Sequence, residues 1–297
     1  MESNGSSIGF GLTDQRRAEE RARQEAVARE RAEQESARLA SASQRAEPAP
    51  AVAKVPTRPN PAGIQWVDIP AGRFQMGSED GDSNEKPVHW VEVKAFRMAA
   101  TEVTVGQYRK CVEAEVCTEP ATGWTCTWSS RPSGKEEHPI NCVDWGQART
   151  FSRWVGGDLP TEAQWEYAAR GARGFKYAGS DDEGAVGWYA GNSGGSTHPV
   201  GKKLKNGYGL YDMSGNVWEW TLDEWHSSYR GAPSRAEAPW GSLPTCSQRC
   251  DNGSSRRVNR GGSWTYVAWL LRVAIRNVSD PAYRSRTLGF RPTGPIP

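Results

Sequence analysis

Apolar residues alternate with polar ones on either side of Pro70-Ala71-Gly72 within the stretch from Trp66 to Gly77, the period-two pattern of a hairpin. Val88 to Phe96 reads as another strand. Thr104 then caps a helix through about Ala114, and Asp144 caps a second through about Val155. Thr161, with Gln164 three residues on, forms a capping box for a third helix, Glu162 to Arg170, which Gly171 ends. Trp165 and Ala169 stand four apart on it and share a buried face. Beyond Gly171 the chain breaks into turns and short strands, including a turn at Gly215 that runs into a strand with Trp218 and Trp220 inward. Strands, then helices, then an irregular β-rich half predict an α+β fold.

The first 45 residues have a different pattern. Asp14 to Arg45 is almost all Ala, Glu, Arg and Gln, with opposite charges four apart such as Glu19 with Arg23 and Glu25 with Arg29. Ala18, Ala22 and Ala26 make only a thin apolar stripe, so residues 1–45 read as a solvated helical stalk, with self-association through it as an alternative. Residues 46–63 carry prolines at 48, 50, 56, 59 and 61 and read as an extended linker, which leaves 64–297 as the folded domain.

Composition narrows the picture. Fourteen tryptophans and thirty-two glycines suit a loop-rich domain that buries large aromatic side chains. A net charge of +2 with interleaved signs offers no footprint for nucleic acid. No run of eighteen apolar residues is present, so insertion into a membrane is not expected. No export signal is read either, and the compartment is left open between the cytoplasm and display on a surface by a partner. Cys111, Cys117, Cys126, Cys142, Cys246 and Cys250 are spaced poorly for zinc and leave disulfides and free thiols as alternatives.

Five segments in order carry a resemblance: IPAGRFQMGS from Ile69, TEVTVGQY from Thr101, LPTEAQWEYAARG from Leu159, GYGLYDMSGNVWEW from Gly207, and RVNRGGSW from Arg257 leading to LGFRP. Together they resemble the formylglycine-generating-enzyme (sulfatase-modifying factor) family. The resemblance implies a variant of the C-type lectin fold. It also implies a calcium site through the side chains of Asp212 and Glu219 and the carbonyls of Gly215 and Val217, oxygen ligands suited to a hard cation. A second calcium site of the family matches only at Asn192.

The family's enzymes work with two cysteines that bind copper, and the positions matching them are Tyr266 and Leu271. Neither side chain is a soft thiolate, so no copper and no enzymatic activity are expected. His89, His138, His198 and His226 are scattered, which argues against the iron-dependent sulfoxide synthases of the same fold.

From Gly261 to Arg291 two classes of position interleave. Gly261, Gly262, Trp264, Leu271, Val273 and a set of arginines form a structural skeleton. Between them lie Thr265, Tyr266, Val267, Leu270, Ile275, Asn277, Val278, Ser279, Asp280, Tyr283, Ser285, Arg286 and Thr287. Every one of these residue types can be reached from an asparagine codon by changing only its two adenines. Lys, Glu, Gln, Met and Trp, which cannot, are absent from the thirteen. The pattern resembles the variable proteins of diversity-generating retroelements, whose C-type lectin domains end in a mutagenised binding segment. The expected function is therefore a non-catalytic ligand-binding protein. It would meet a protein or cell-surface ligand through these thirteen side chains, with Tyr266 and Tyr283 as anchors. The alternatives are an oxidoreductase of altered chemistry and a sensor or regulatory module.

Overall fold

The computed structural model describes residues 60–123, 125–241 and 256–296. The stalk, nearly all of the linker, Cys246 and Cys250 lie outside the described residues. The elements in chain order are β1 (Trp66–Ile69), β2 (Gly72–Met76), β3 (His89–Val93), β4 (Phe96–Ala99), α1 (Val105–Glu113), α2 (Trp145–Trp154), α3 (Glu162–Arg170) and the single turn α4 (Glu183–Val186). They are followed by β5 (Trp218–Glu224), β6 (Arg257–Arg260), a 3-10 turn (Ala268–Leu271), β7 (Arg276–Ser279), β8 (Leu288–Gly289) and β9 (Thr293–Gly294). This is the expected α+β composition in a loop-rich chain.

All three long helices start the same way. Thr104, Asp144 and Thr161 each accept from the backbone N–H of a glutamine three residues on, at 3.2, 2.8 and 3.1 Å, and that glutamine's Oε1 accepts from the cap's own N–H. Two otherwise orphaned donors per helix are thereby satisfied. Gly171 closes α3 in the left-handed region, at φ 56°.

The opening pattern is not a hairpin. β1 pairs antiparallel with β4, and β4 with β9, while β2 pairs with β3. The Pro70-Ala71-Gly72 turn sends β2 into a different sheet from β1, and the strand expected from Val88 to Phe96 breaks into β3 and the start of β4. Alternation marked the strands correctly but carried no information on which strand each would pair with.

The third sheet holds the C-terminal half in the order β7-β6-β5-β8, with β5 and β8 parallel. Its central strand β5 is buried on both faces, so Glu219 and Thr221 are as inaccessible as Trp218 and Trp220. One core cluster gathers Tyr108, Phe151 and Phe290 with Trp145, Trp218 and Trp220; a second packs Trp165 and Ala169 of α3 on β2 to β4. The indole N–H groups of Trp145, Trp165 and Trp220 reach Thr221 O, Glu219 Oε2 and Val143 O at 2.7, 2.7 and 3.2 Å, so each buries its ring with its polar atom satisfied. Among the described residues two disulfides form, Cys111–Cys117 and Cys126–Cys142. Among the described residues no helix is long and apolar enough to cross a membrane.

Candidate functional site

The C-terminal segment leaves β6 through Gly261 and Gly262, whose φ angles of 100° and 80° suit glycine. A side chain on Gly262 would also meet the Leu270 carbonyl at 2.7 Å. From there the skeleton arginines turn inward and clamp carboxylates far away in sequence. Arg272 grips Glu85 at 2.6 and 3.2 Å, Arg276 grips Glu162 at 2.6 and 2.9 Å, and Arg291 grips Glu219 at 2.7 Å through both nitrogens. Arg260 bonds Glu166, whose carboxyl is buried yet held below the usual carboxylate range because Arg170 and Arg260 outweigh the burial. Bidentate pairs of this kind fix geometry as well as charge.

Burial separates the two classes of position. Of the nineteen skeleton residues (260–264, 268, 269, 271–274, 276, 281, 282, 284 and 288–291), only Ala268, Trp269, Ala282 and Arg284 escape burial, whereas of the thirteen interspersed ones Ile275 alone is buried. Val267, Tyr283 and Tyr266 are 60%, 53% and 37% exposed, and Asp280 and Arg286 are also open. Ile275, 1% exposed, belongs to the first core cluster, and Leu270 packs against it. Ile275 is a correction to the expected contact set, since its side chain serves the core, while Leu270 is partly buried.

The remaining positions fall into two groups. Tyr266 stands edge-on to Trp218, Arg286 lies over Trp264, and the hydroxyls of Ser285 and Thr287 are 2.9 Å apart. Thr265 joins them through Ser263. On β7, Asn277 and Ser279 share the buried Asn259, at 2.7 and 3.0 Å, with Val278 between them and Asp280 and Tyr283 following.

The scaffold holds the first group by its backbone. The Ser285 carbonyl accepts from Cys142 N–H, the Arg286 carbonyl from Asn141 Nδ2 and Trp264 Nε1, and the Thr287 carbonyl from Trp218 N–H, at 2.7 to 3.2 Å. The Tyr266 carbonyl accepts from Ala190 N–H at 2.9 Å. Cys142 is tied in turn to Cys126. Of the two positions matched to the family's cysteine pair, Tyr266 is on this surface and Leu271 is buried against Tyr177 and Val186.

The residues expected to hold calcium sit behind the surface. Asp212 is buried, with a φ of 56°; its Oδ2 accepts from Gly201 N–H at 2.7 Å and its Oδ1 has no partner. Glu219 is taken up by Arg291 and Trp165. Sequence reasoning missed a third carboxylate. Glu102, in the TEVTVGQY segment, is fully buried and accepts from Val217 N–H and Asn216 Nδ2 at 3.0 and 2.8 Å. Burial, then the charges of Asp212 and Glu219, push its carboxyl well above the usual range, and burial pushes Asp212 up to about 6. Burial and mutual repulsion among three acids around one guanidinium favour the protonated form of Glu102, a proton that a bound cation would displace. Among the described residues no three His, Cys, Asp or Glu side chains converge on one ion position, so a cation there needs backbone carbonyls, as the Gly215 and Val217 assignment supposes.

Comparison with known proteins places this geometry. Residues 51–293 match the family described as Sulfatase-modifying factor enzyme 1-like domain. The formylglycine-generating enzyme of Streptomyces coelicolor is 31% identical over 309 residues, covering 83% of this chain and 95% of its own. Among solved structures, Treponema denticola variable protein 1 superposes with a TM-score of 0.63 at 26% identity, over 78% of this chain and 95% of its own. PvdO from Pseudomonas aeruginosa gives 0.65 at 27%, over 80% of this chain and all of its own. The expectation that the chain is no enzyme is corrected by these relatives, because the side chains at two matched positions do not outweigh similarity to formylglycine-generating enzymes along most of the chain. With its fold, its motif order and its relatives in agreement, the chain belongs to the sulfatase-modifying factor family, the family of the formylglycine-generating enzymes.

Proposed function

We propose that this protein recognises a partner through the exposed side chains interspersed between Thr265 and Thr287, on a diversified surface of the kind made by diversity-generating retroelements. The observation that carries the reading is the sorting by burial: fifteen of the nineteen skeleton residues are buried, whereas all the interspersed ones but Ile275 are partly or fully exposed along one continuous segment. Similarity to a protein titled a variable protein supports it. A rigid frame with exchangeable side chains is the usual division of labour in binding surfaces. Sequencing the last hundred or so bases of the gene across a population tests it. Changes confined to these codons and to adenines are expected; silent or evenly scattered changes would reject diversification.

Membership in an enzyme family favours a second reading, in which the recognised partner is a peptide substrate. Mass spectrometry of a cysteine-containing peptide incubated with the protein in air separates the two, since a loss of the thiol in favour of an aldehyde marks turnover.

Calcium belongs to the same proposal. Asp212 Oδ1, Glu219 and the carbonyls of Gly215 and Val217 would hold it, and Glu102 would lend charge on giving up its proton. The ion's part would be structural, locking the turn on which β5 and the binding segment rest.

A further inference from the structure

Six arginines lie between Arg260 and Arg291, and five of them are paired with scaffold carboxylates. Arg260 takes Glu166, Arg272 takes Glu85, Arg276 takes Glu162, Arg284 takes Asp144 and Arg291 takes Glu219. Arg286 differs. It is exposed, and among the described residues no carboxylate lies within ion-pair distance of it. Its guanidinium stands 5.1 Å from the centre of the Trp264 ring, and its own carbonyl accepts from that same indole N–H. A cation seated on an aromatic face, with its backbone fixed, has lost much of the freedom that binding would otherwise cost. Its chain neighbours Ser285 and Thr287 hold their hydroxyls 2.9 Å apart, and Tyr266 and Val267, two and three residues beyond Trp264, are exposed.

Resting on the surface reading above, we propose that the partner is a protein presenting a carboxylate side chain, and that Arg286 is the residue that receives it. A guanidinium matches a carboxylate with two parallel hydrogen bonds. The surroundings decide between a protein and a polyanion. A nucleic acid or sulfated polysaccharide is gripped by several cations along a stripe. Among the described residues from Arg260 to Arg291, Arg286 is the one guanidinium outside an ion pair, and the same segment exposes Tyr266 and Val267, an amphipathic combination suited to an acidic residue with apolar neighbours.

The experiment is selection of random twelve-residue peptides displayed on phage against the wild-type protein, R286Q and R286E, followed by titration of the most enriched wild-type peptide. Enrichment of Asp and Glu is expected on the wild type, with about tenfold weaker binding of that peptide to R286Q and enrichment of Lys and Arg on R286E. Melting curves that match the wild type show that both variants fold, as expected for an exposed side chain. A wild-type pool with no acidic excess overturns the proposal, and so does an excess that survives in R286E. Retention on a heparin column that depends on Arg286, without acidic peptides, would overturn it in favour of a polyanion. A Tyr266→Ala, Val267→Asp variant reports on the surface itself: if it keeps full binding of an acidic peptide, the surface reading has failed whatever the role of charge.

Discussion

Arg276 closes both oxygens of Glu162, at 2.6 and 2.9 Å, across 114 positions of sequence. The pair joins the first residue of α3 to the first residue of β7, and Arg260 and Tyr229 reach the same carboxylate. Replacing Glu162 with glutamine leaves a buried guanidinium without its counter-charge. Urea denaturation should show a loss of about 3–5 kcal/mol. The double variant Glu162→Met, Arg276→Met should lose less than the two single variants combined, because neither charge is then stranded.

Stability should ignore the exposed positions and punish the buried one. Substitutions at Val267, Asp280, Tyr283 or Arg286 should shift unfolding free energy by no more than about 0.5 kcal/mol. Ile275→Ala, drawn from the same interspersed set, should cost about 2–5 kcal/mol, because that side chain fills the first core cluster. Equal, small effects at all five would show that Ile275 is misplaced in the core.

Acidity gives a third measurement. Burial, and then the Glu162 charge, pushes the Asp223 carboxyl up to about 7. Between about pH 4 and pH 7 the folded protein therefore holds a proton that the unfolded chain has released, since an unfolded aspartate titrates near 3.9. Its contribution to stability is fully present below the unfolded value and is lost as pH rises through the folded one. Unfolding midpoints measured from pH 4.5 to 7.5 should fall with a slope that Asp223→Asn flattens. An unchanged slope in that variant would assign the effect elsewhere.

Calcium should raise the melting temperature. One site at a hundredfold excess over its Kd adds about 2.7 kcal/mol, a shift that differential scanning calorimetry resolves easily. Asp212→Asn should abolish the rise. Magnesium should give less, since it resists giving up its water shell.

Local features of the fold were legible in the sequence and long-range ones were not. Thr104, Asp144 and Thr161 announced their helices because a capping box is complete within four residues. The Pro70-Ala71-Gly72 turn misled because β1 takes its partner about thirty residues downstream, a choice that alternation does not encode. Among candidate site residues, the exposed ones were found through a coding pattern that has no physical content, so it could not tell Val267 from Ile275. Nothing in the sequence distinguishes Glu85, Glu102, Glu162 and Glu166 from ordinary surface acids. Only the fold brings them to an arginine or to one another, and a lone glutamate in a helix start carries no mark of that.

Ser285, Arg286 and Thr287 are held by their carbonyl oxygens, the one polar group that every amino acid, proline included, possesses. The frame consequently does not inspect the identity of what it carries there. Side chains there can change without loss of these main-chain bonds, whereas a change in the buried frame disturbs close packing. Tolerance and constraint thus lie side by side in one polypeptide, separated by a few main-chain hydrogen bonds.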